Sequence, residues 1–188
     1  METKTQNSSP TYKTIALGHS DIAAMLELQN KIKSHDIIAK DAASLTAHFN
    51  AGHSAIGIIR DGVLIAQATI KPDPVKTNTA TIGFLMTEPA HRGQGLSNSL
   101  IGAALQKMGY EGFDTAQARV KVDNQQTAWK HFERQGFAIT ETGESPDQKG
   151  RQVFTLQKAL KPVFFGALHK REKPEPKTCH VTLATPAP

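Results

Sequence analysis

The chain has 188 residues, 38% hydrophobic and 21% charged, enough for one folded domain with a core that needs no disulfide or metal to hold it. Its single cysteine, Cys179, excludes an internal disulfide and fits a reducing, cytoplasmic setting. Twenty-two basic against 17 acidic side chains leave a net charge of +5, with no basic stripe interleaved with aromatics, which disfavours nucleic acid as a partner.

Residues 1–10 are polar, lack an apolar signal core and are expected to be a flexible N-terminus. No apolar run in the chain reaches bilayer-spanning length, so no membrane partner is expected. Tyr12 to Leu17 reads as a strand, after which Gly18-His19-Ser20 breaks the pattern and offers Ser20 as an N-cap. Ile22, Met25, Leu26 and Ile32 then recur near helical spacing. Asp41 caps a second short helix with Leu45 and Phe49 on one face, closed by Gly52.

Two β-branched runs, Ala55 to Arg60 and Val63 to Ile70, flank Asp61-Gly62 and predict an antiparallel hairpin. Pro72 and Pro74 punctuate a loop, and Thr79 to Thr87 is a further strand. It runs into Glu88-Pro89-Ala90-His91-Arg92-Gly93-Gln94-Gly95-Leu96-Ser97, a glycine-containing turn. Leu96, Leu100, Ala104 and Met108 then repeat at i+4, predicting a helix from about Gly95, with Gly109 and Gly112 bracketing its end. A helix start carries N–H groups without intrahelical acceptors and partial positive charge, so this junction can hold a phosphate.

Asp114 to Val122 is the next strand, and Asp123 with Gln126 forms a capping box for a last helix. Gly136-Phe137 ends that helix and starts a strand; the turn-rich Gly143 to Gly150 precedes a final strand over Arg151 to Leu160. From residue 161 to 188 the character changes to a basic, proline-containing tail holding five basic and two acidic residues, in which only Val163-Phe164-Phe165 offers an apolar docking segment. The order β-α-α-β-β-β-α-β-α-β-β places a single α/β domain over residues 11–160, its sheet mixed and mostly antiparallel, flanked by helices.

Arg92-x-x-Gly95-x-Ser97 resembles the Arg/Gln-x-x-Gly-x-Gly/Ala signature of the GNAT superfamily of N-acetyltransferases. The segment Asn124 to Phe137, with Ala128, Phe132, Gly136 and Phe137 in register, is similar to that family's Asn-x-x-Ala-x-x-x-Tyr-x-x-x-Gly-Phe block. The resemblance runs in element order from about Tyr12 to Leu160. It implies acetyl-CoA as co-substrate, with its pyrophosphate on the turn formed by Arg92, Gly93, Gln94, Gly95, Leu96, Ser97 and Asn98, and its pantetheine along Leu85, Met86 and Thr87. It further implies transfer to an amine, on a small molecule or a protein, in a pocket shaped by the first two helices.

The family's tyrosine, which protonates the leaving thiolate, is here Phe132, and Gln125 rather than Asn124 stands where its asparagine would. No catalytic residue is therefore assigned, and a catalytically weak or silent acyl-CoA-binding module is the alternative. Glu88 reads as a solvated loop end, His91 and Trp129 as packing residues, and His131 as turned away from the cleft by its position next to Phe132. The remaining histidines, His19, His35, His48, His53, His169 and His180, lack metal-ligand spacing, so no metal is expected. The acceptor, the acyl chain length, the role of the tail and pairing of two chains into a homodimer stay open at the sequence level.

Overall fold

The computed structural model describes residues 11–32, 40–122, 128–145 and 148–161. The expected capping box at Asp123 and Gln126, residues 1–10, the Val163-Phe164-Phe165 segment and Cys179 lie outside them. Seven strands form one sheet: β1 (Tyr12–Leu17), β2 (Ser54–Arg60), β3 (Val63–Pro72), β4 (Thr79–Thr87), β5 (Thr115–Lys121), β6 (Ala138–Ser145) and β7 (Gln148–Ala159). The spatial order is β1-β2-β3-β4-β5-β7-β6, and β4–β5 is its one parallel pair. Four α-helices are described, α1 (Ile22–Ile32), α2 (Ala42–Asn50), α3 (Leu96–Tyr110) and α4 (Ala128–Arg134). The architecture is the mixed, mostly antiparallel α/β domain expected from the sequence.

Apolar residues alternate along the central strands and so feed two cores, one on each face of the sheet. On one face Leu96, Leu100, Ile101, Ala104 and Met108 of α3, with Phe132 of α4, bury against Ile70, Ala80, Ile82, Ala116, Ala118 and Leu156. On the other, Met25, Leu28 and Ile32 of α1 and Leu45 of α2 pack on Leu17, Ala55, Leu64 and Met86. Each of the larger side chains contributes roughly 1.5–3 kcal/mol through removal from water.

The β2–β3 turn is formed by Asp61 at φ 52° and Gly62 at φ 80°, the double left-handed geometry that matches strand twist. Asp41 caps α2, its side chain accepting from the Ser44 N–H. Two expectations are corrected. Ser20 lies inside a 3-10 turn over His19–Asp21 that precedes α1, and the turn is closed instead by the Gly18 N–H donating to the Asp21 carboxylate at 2.9 Å. Gly143 and Gly150 sit within paired strands, because backbone pairing of β6 with β7 carries the hairpin further toward its tip than side-chain pattern alone indicates. None of the described helices is long and apolar enough to cross a membrane.

Candidate active site

The pairing of β4 with β5 runs only from Thr79↔Thr115 to Ile82↔Ala118. Beyond Ile82 the strand stays with β3 as far as Thr87↔Ala66, across a register irregularity between Gln67 and Thr69. Phe84 sits in this stretch at φ 47°, a conformation that side-chain-bearing residues rarely adopt. The bulge changes the parity of the strand, so Leu85 packs toward the α3 core while Phe84 and Met86 pack toward α1. The β5-facing main chain of residues 83–87 thus borders a fork between the two strands, where an extended amide-containing ligand can add as a strand. Leu85, Met86 and Thr87, singled out from the sequence, all lie on this arm.

Beyond β4 the chain makes a 3-10 turn over Pro89–His91 and reaches α3 through Gly93 and Gly95, both at φ 77°. A left-handed residue at these two places favours glycine, and neither has any atom within 4 Å of where a Cβ would stand. Gly95 is the N-cap of α3 and supplies no side-chain cap, so the first N–H groups of the helix are left for an external acceptor. Arg92, Gly93, Gln94 and Gly95 are exposed, Ser97 and Asn98 are half-buried, and Leu96 turns into the core. The turn therefore fits a pyrophosphate: open space, uncapped donors and the positive end of a 15-residue helix coincide.

The turn is braced from several sides. Tyr12 Oη donates to Gln94 Oε1, Arg92 Nε donates to the Thr87 carbonyl at 3.4 Å, and the hydroxyls of Thr87 and Ser97 lie 3.5 Å apart. Glu88, expected as a solvated loop end, is half-buried and lies 3.8 Å from Lys31 and 4.0 Å from His91. Arg60 Nη1 donates to His91 Nδ1 at 3.5 Å, so His91 joins the strand end to β2 as well as packing beside the turn.

Phe132 is 3% exposed and meets the Phe137 ring edge-on at 5.3 Å, while Trp129 packs against Phe154. His131, expected to turn away, instead places Nδ1 3.3 Å from Oδ1 of Asn98 in the first turn of α3. The i and i+1 side chains diverge by about 100° around a helix. That separation carries Phe132 into the core and His131 onto the neighbouring helix.

On the opposite face of the sheet, the side of the first two helices, lies an opening of about 280 Å³ whose lining residues the sequence did not single out. Its walls include Lys40, His48, Lys71, Phe84, Gln117 and Arg119. The only signal in the sequence is period-2 alternation: Thr69 and Lys71, Thr81 and Gly83, and Gln117 and Arg119 fall between the apolar residues of three different strands. Register brings them together, with Lys71↔Thr81 and Thr81↔Gln117 forming one row across the sheet.

The sequence profile of the acetyltransferase (GNAT) family matches residues 22–137. The chain belongs to the GNAT acetyltransferase family. Solved structures carry the same fold at low identity. YncA from Salmonella typhimurium, assigned as an acetyltransferase and solved with its cofactor acetyl-CoA, is 18% identical with a TM-score of 0.67, covering 80% of this chain and 94% of its own. The ribosomal-protein-S18-alanine N-acetyltransferase from Escherichia coli is 15% identical with a TM-score of 0.67, covering 85% and 99%. The ribosomal-protein-alanine N-acetyltransferase from Brucella melitensis is 17% identical with a TM-score of 0.68, covering 79% and 99%. No curated protein sequence matches the chain. Among its described residues this GNAT protein has no group of three or more His, Cys, Asp or Glu able to hold a metal ion.

Proposed function

We propose that this GNAT protein is an acetyl-CoA-dependent N-acetyltransferase whose catalytic domain is residues 11–160, and that it passes the acetyl group directly to an amine. The observation that carries the reading is the uncapped start of α3 behind Gly93 and Gly95, set beside the arm of β4 that leaves β5 after Ile82. Residues Arg92 to Asn98 would hold the pyrophosphate and residues 85–87 the pantetheine amides. Acetyl-CoA would supply an activated thioester, and the protein would supply position.

The opening on the α1/α2 face reaches Gly83 and Phe84 of the arm, so an acceptor held there would lie beside a donor held along the fork, and transfer would need no covalent enzyme intermediate. An unperturbed lysine-like amine at pH 7 is uncharged to only about one part in a few thousand, so the acceptor site must also favour the free base. Phe132 carries no proton, so thiolate protonation would fall to another donor or to water.

The test is calorimetric titration of acetyl-CoA and CoA into the wild type and Gly95→Asp, followed by thiol release with a panel of amines. Micromolar binding that disappears in the variant, with amine-dependent thiol release, is the expected result. Binding without release for any amine would indicate a silent acyl-CoA-binding module. Failure of the wild type to bind either ligand would withdraw the acetyltransferase reading.

A further inference from the structure

We propose that the opening on the α1/α2 face selects a small amine that also carries an anionic group, a carboxylate or a phosphate, held by Lys40, Lys71 and Arg119. The inference rests on the acetyltransferase reading for the role of the opening, but the charge preference stands on the residues themselves. Three cations line the cavity, and among the described residues none of them has a carboxylate ion-pair partner. The single acid in the wall, Asp73, is committed to its own loop: Oδ1 accepts from the N–H groups of Val75 and Lys76, each at 2.9 Å. Lys40 is fixed over the Phe84 ring at 4.5 Å, directly at the bulge beside the fork. Gln117 is buried and its Oε1 accepts from Gln157 at 3.0 Å, which leaves its NH₂ as a further donor on the cavity floor.

Two neighbouring histidines report the field in this region. The pKa of His53 is lowered by burial and then by Lys71 and Lys40. That of His48 is lowered by burial first, partly offset by its bond to the Ser54 carbonyl, with Lys40, His53 and Lys71 adding to the lowering. Burial first, and the positive charge of Lys71 and Lys40 second, hold both imidazoles toward their neutral form, and the same two effects disfavour an ammonium, so a bound amine is pushed toward the free base that attacks a thioester. A polycation would be repelled, whereas an anionic group elsewhere on the same molecule would be drawn to the cations. The volume of about 280 Å³ lies at the lower edge of the ~300–1,000 Å³ range of small-molecule pockets, which suits a compact acceptor.

The test compares matched pairs, glycine with glycinamide and phosphoethanolamine with ethanolamine, together with spermidine, in thiol-release assays on the wild type, Arg119→Gln and Lys71→Gln. Lys13→Gln, on β1, serves as the charge control. In parallel, each compound is titrated without acetyl-CoA while the backbone amides of Thr81, Gly83 and Gln117 are followed by NMR. The anionic member of a pair is expected to win in kcat/KM, and its advantage to fall by about tenfold or more in either pocket variant, as loss of a charge-assisted hydrogen bond implies. Amide shifts at the three positions should appear with the anionic members only.

Equal or better turnover of the members without an anionic group or of spermidine would overturn the proposal, as would an unchanged preference in both pocket variants or shifts confined to other regions. If acetyl-CoA fails to bind, the transferase reading falls separately. The amide shifts then decide the charge preference alone.

Discussion

Nδ1 of His131 lies 3.3 Å from Oδ1 of Asn98, joining the last helix of the domain to the first turn of the helix that follows the glycine turn. An amide oxygen only accepts, so this contact places the imidazole proton on Nδ1. The bond holds α3 at the end where the donor would sit. His131→Ala is expected to weaken acetyl-CoA binding by about twofold to tenfold, the range of one lost net hydrogen bond. Calorimetry on this variant and on Asn98→Ala would check it, and equal losses in the two single variants and in the double variant would identify the bond as the cause.

Gly95 combines two requirements that one substitution can separate. Gly95→Ala adds a side chain into open space at φ 77°, so the cost is backbone strain of about 1–2 kcal/mol with little steric conflict. It should lower the melting temperature and weaken acetyl-CoA modestly. Gly95→Asp adds repulsion of a pyrophosphate to the same strain. Binding lost in the aspartate variant but largely kept in the alanine variant, at similar melting temperatures, is the expected pattern.

Phe132 stands in the core, edge-on to Phe137, and its removal should register as lost stability before lost chemistry. Phe132→Ala is expected to cost about 3–5 kcal/mol, measured as a lower midpoint in urea unfolding. A cost near zero would show that the ring is not packed as described.

His48 is buried, its Nε2 is 3.1 Å from the Ser54 carbonyl, and its pKa is lowered chiefly by burial. Its folded value therefore lies below the ordinary 6.5, and the unfolded chain takes the proton first as pH falls. The stability tied to neutral His48 is complete above 6.5 and declines as the pH drops from there toward the folded value. Melting temperature should fall between about pH 7 and pH 5 more steeply in the wild type than in His48→Gln. Parallel slopes in the two proteins would refute this.

Much of the fold was legible because its signals are local. Asp61-Gly62 between two β-branched runs, Asp41 ahead of a helical stripe and the i+4 row from Leu96 to Met108 each act within a few residues, and each appears where expected. The glycine turn was legible for the same reason. What escaped was assembled by register. Lys71, Thr81 and Gln117 become one row only when three strands align, and Phe84 shifts the alternation of β4 through a bulge that composition does not announce. His131 escaped because its partner, Asn98, is 33 residues away on a helix whose packing angle the sequence does not specify.

The four residue pairs between Thr79↔Thr115 and Ile82↔Ala118 have a mechanical meaning. They are the seam between two antiparallel leaves, β1 to β4 on one side and β5, β7 and β6 on the other. A seam this short can act as a hinge as well as a joint: small changes in its twist would swing the fork's arms by a larger amount at their tips. The width of the cleft is therefore set at the base of the leaves as much as at its rim. Slowed hydrogen exchange at Ala80, Ile82, Ala116 and Ala118 on adding acetyl-CoA would show the hinge stiffening as the arms close, and unchanged exchange there would show a rigid fork.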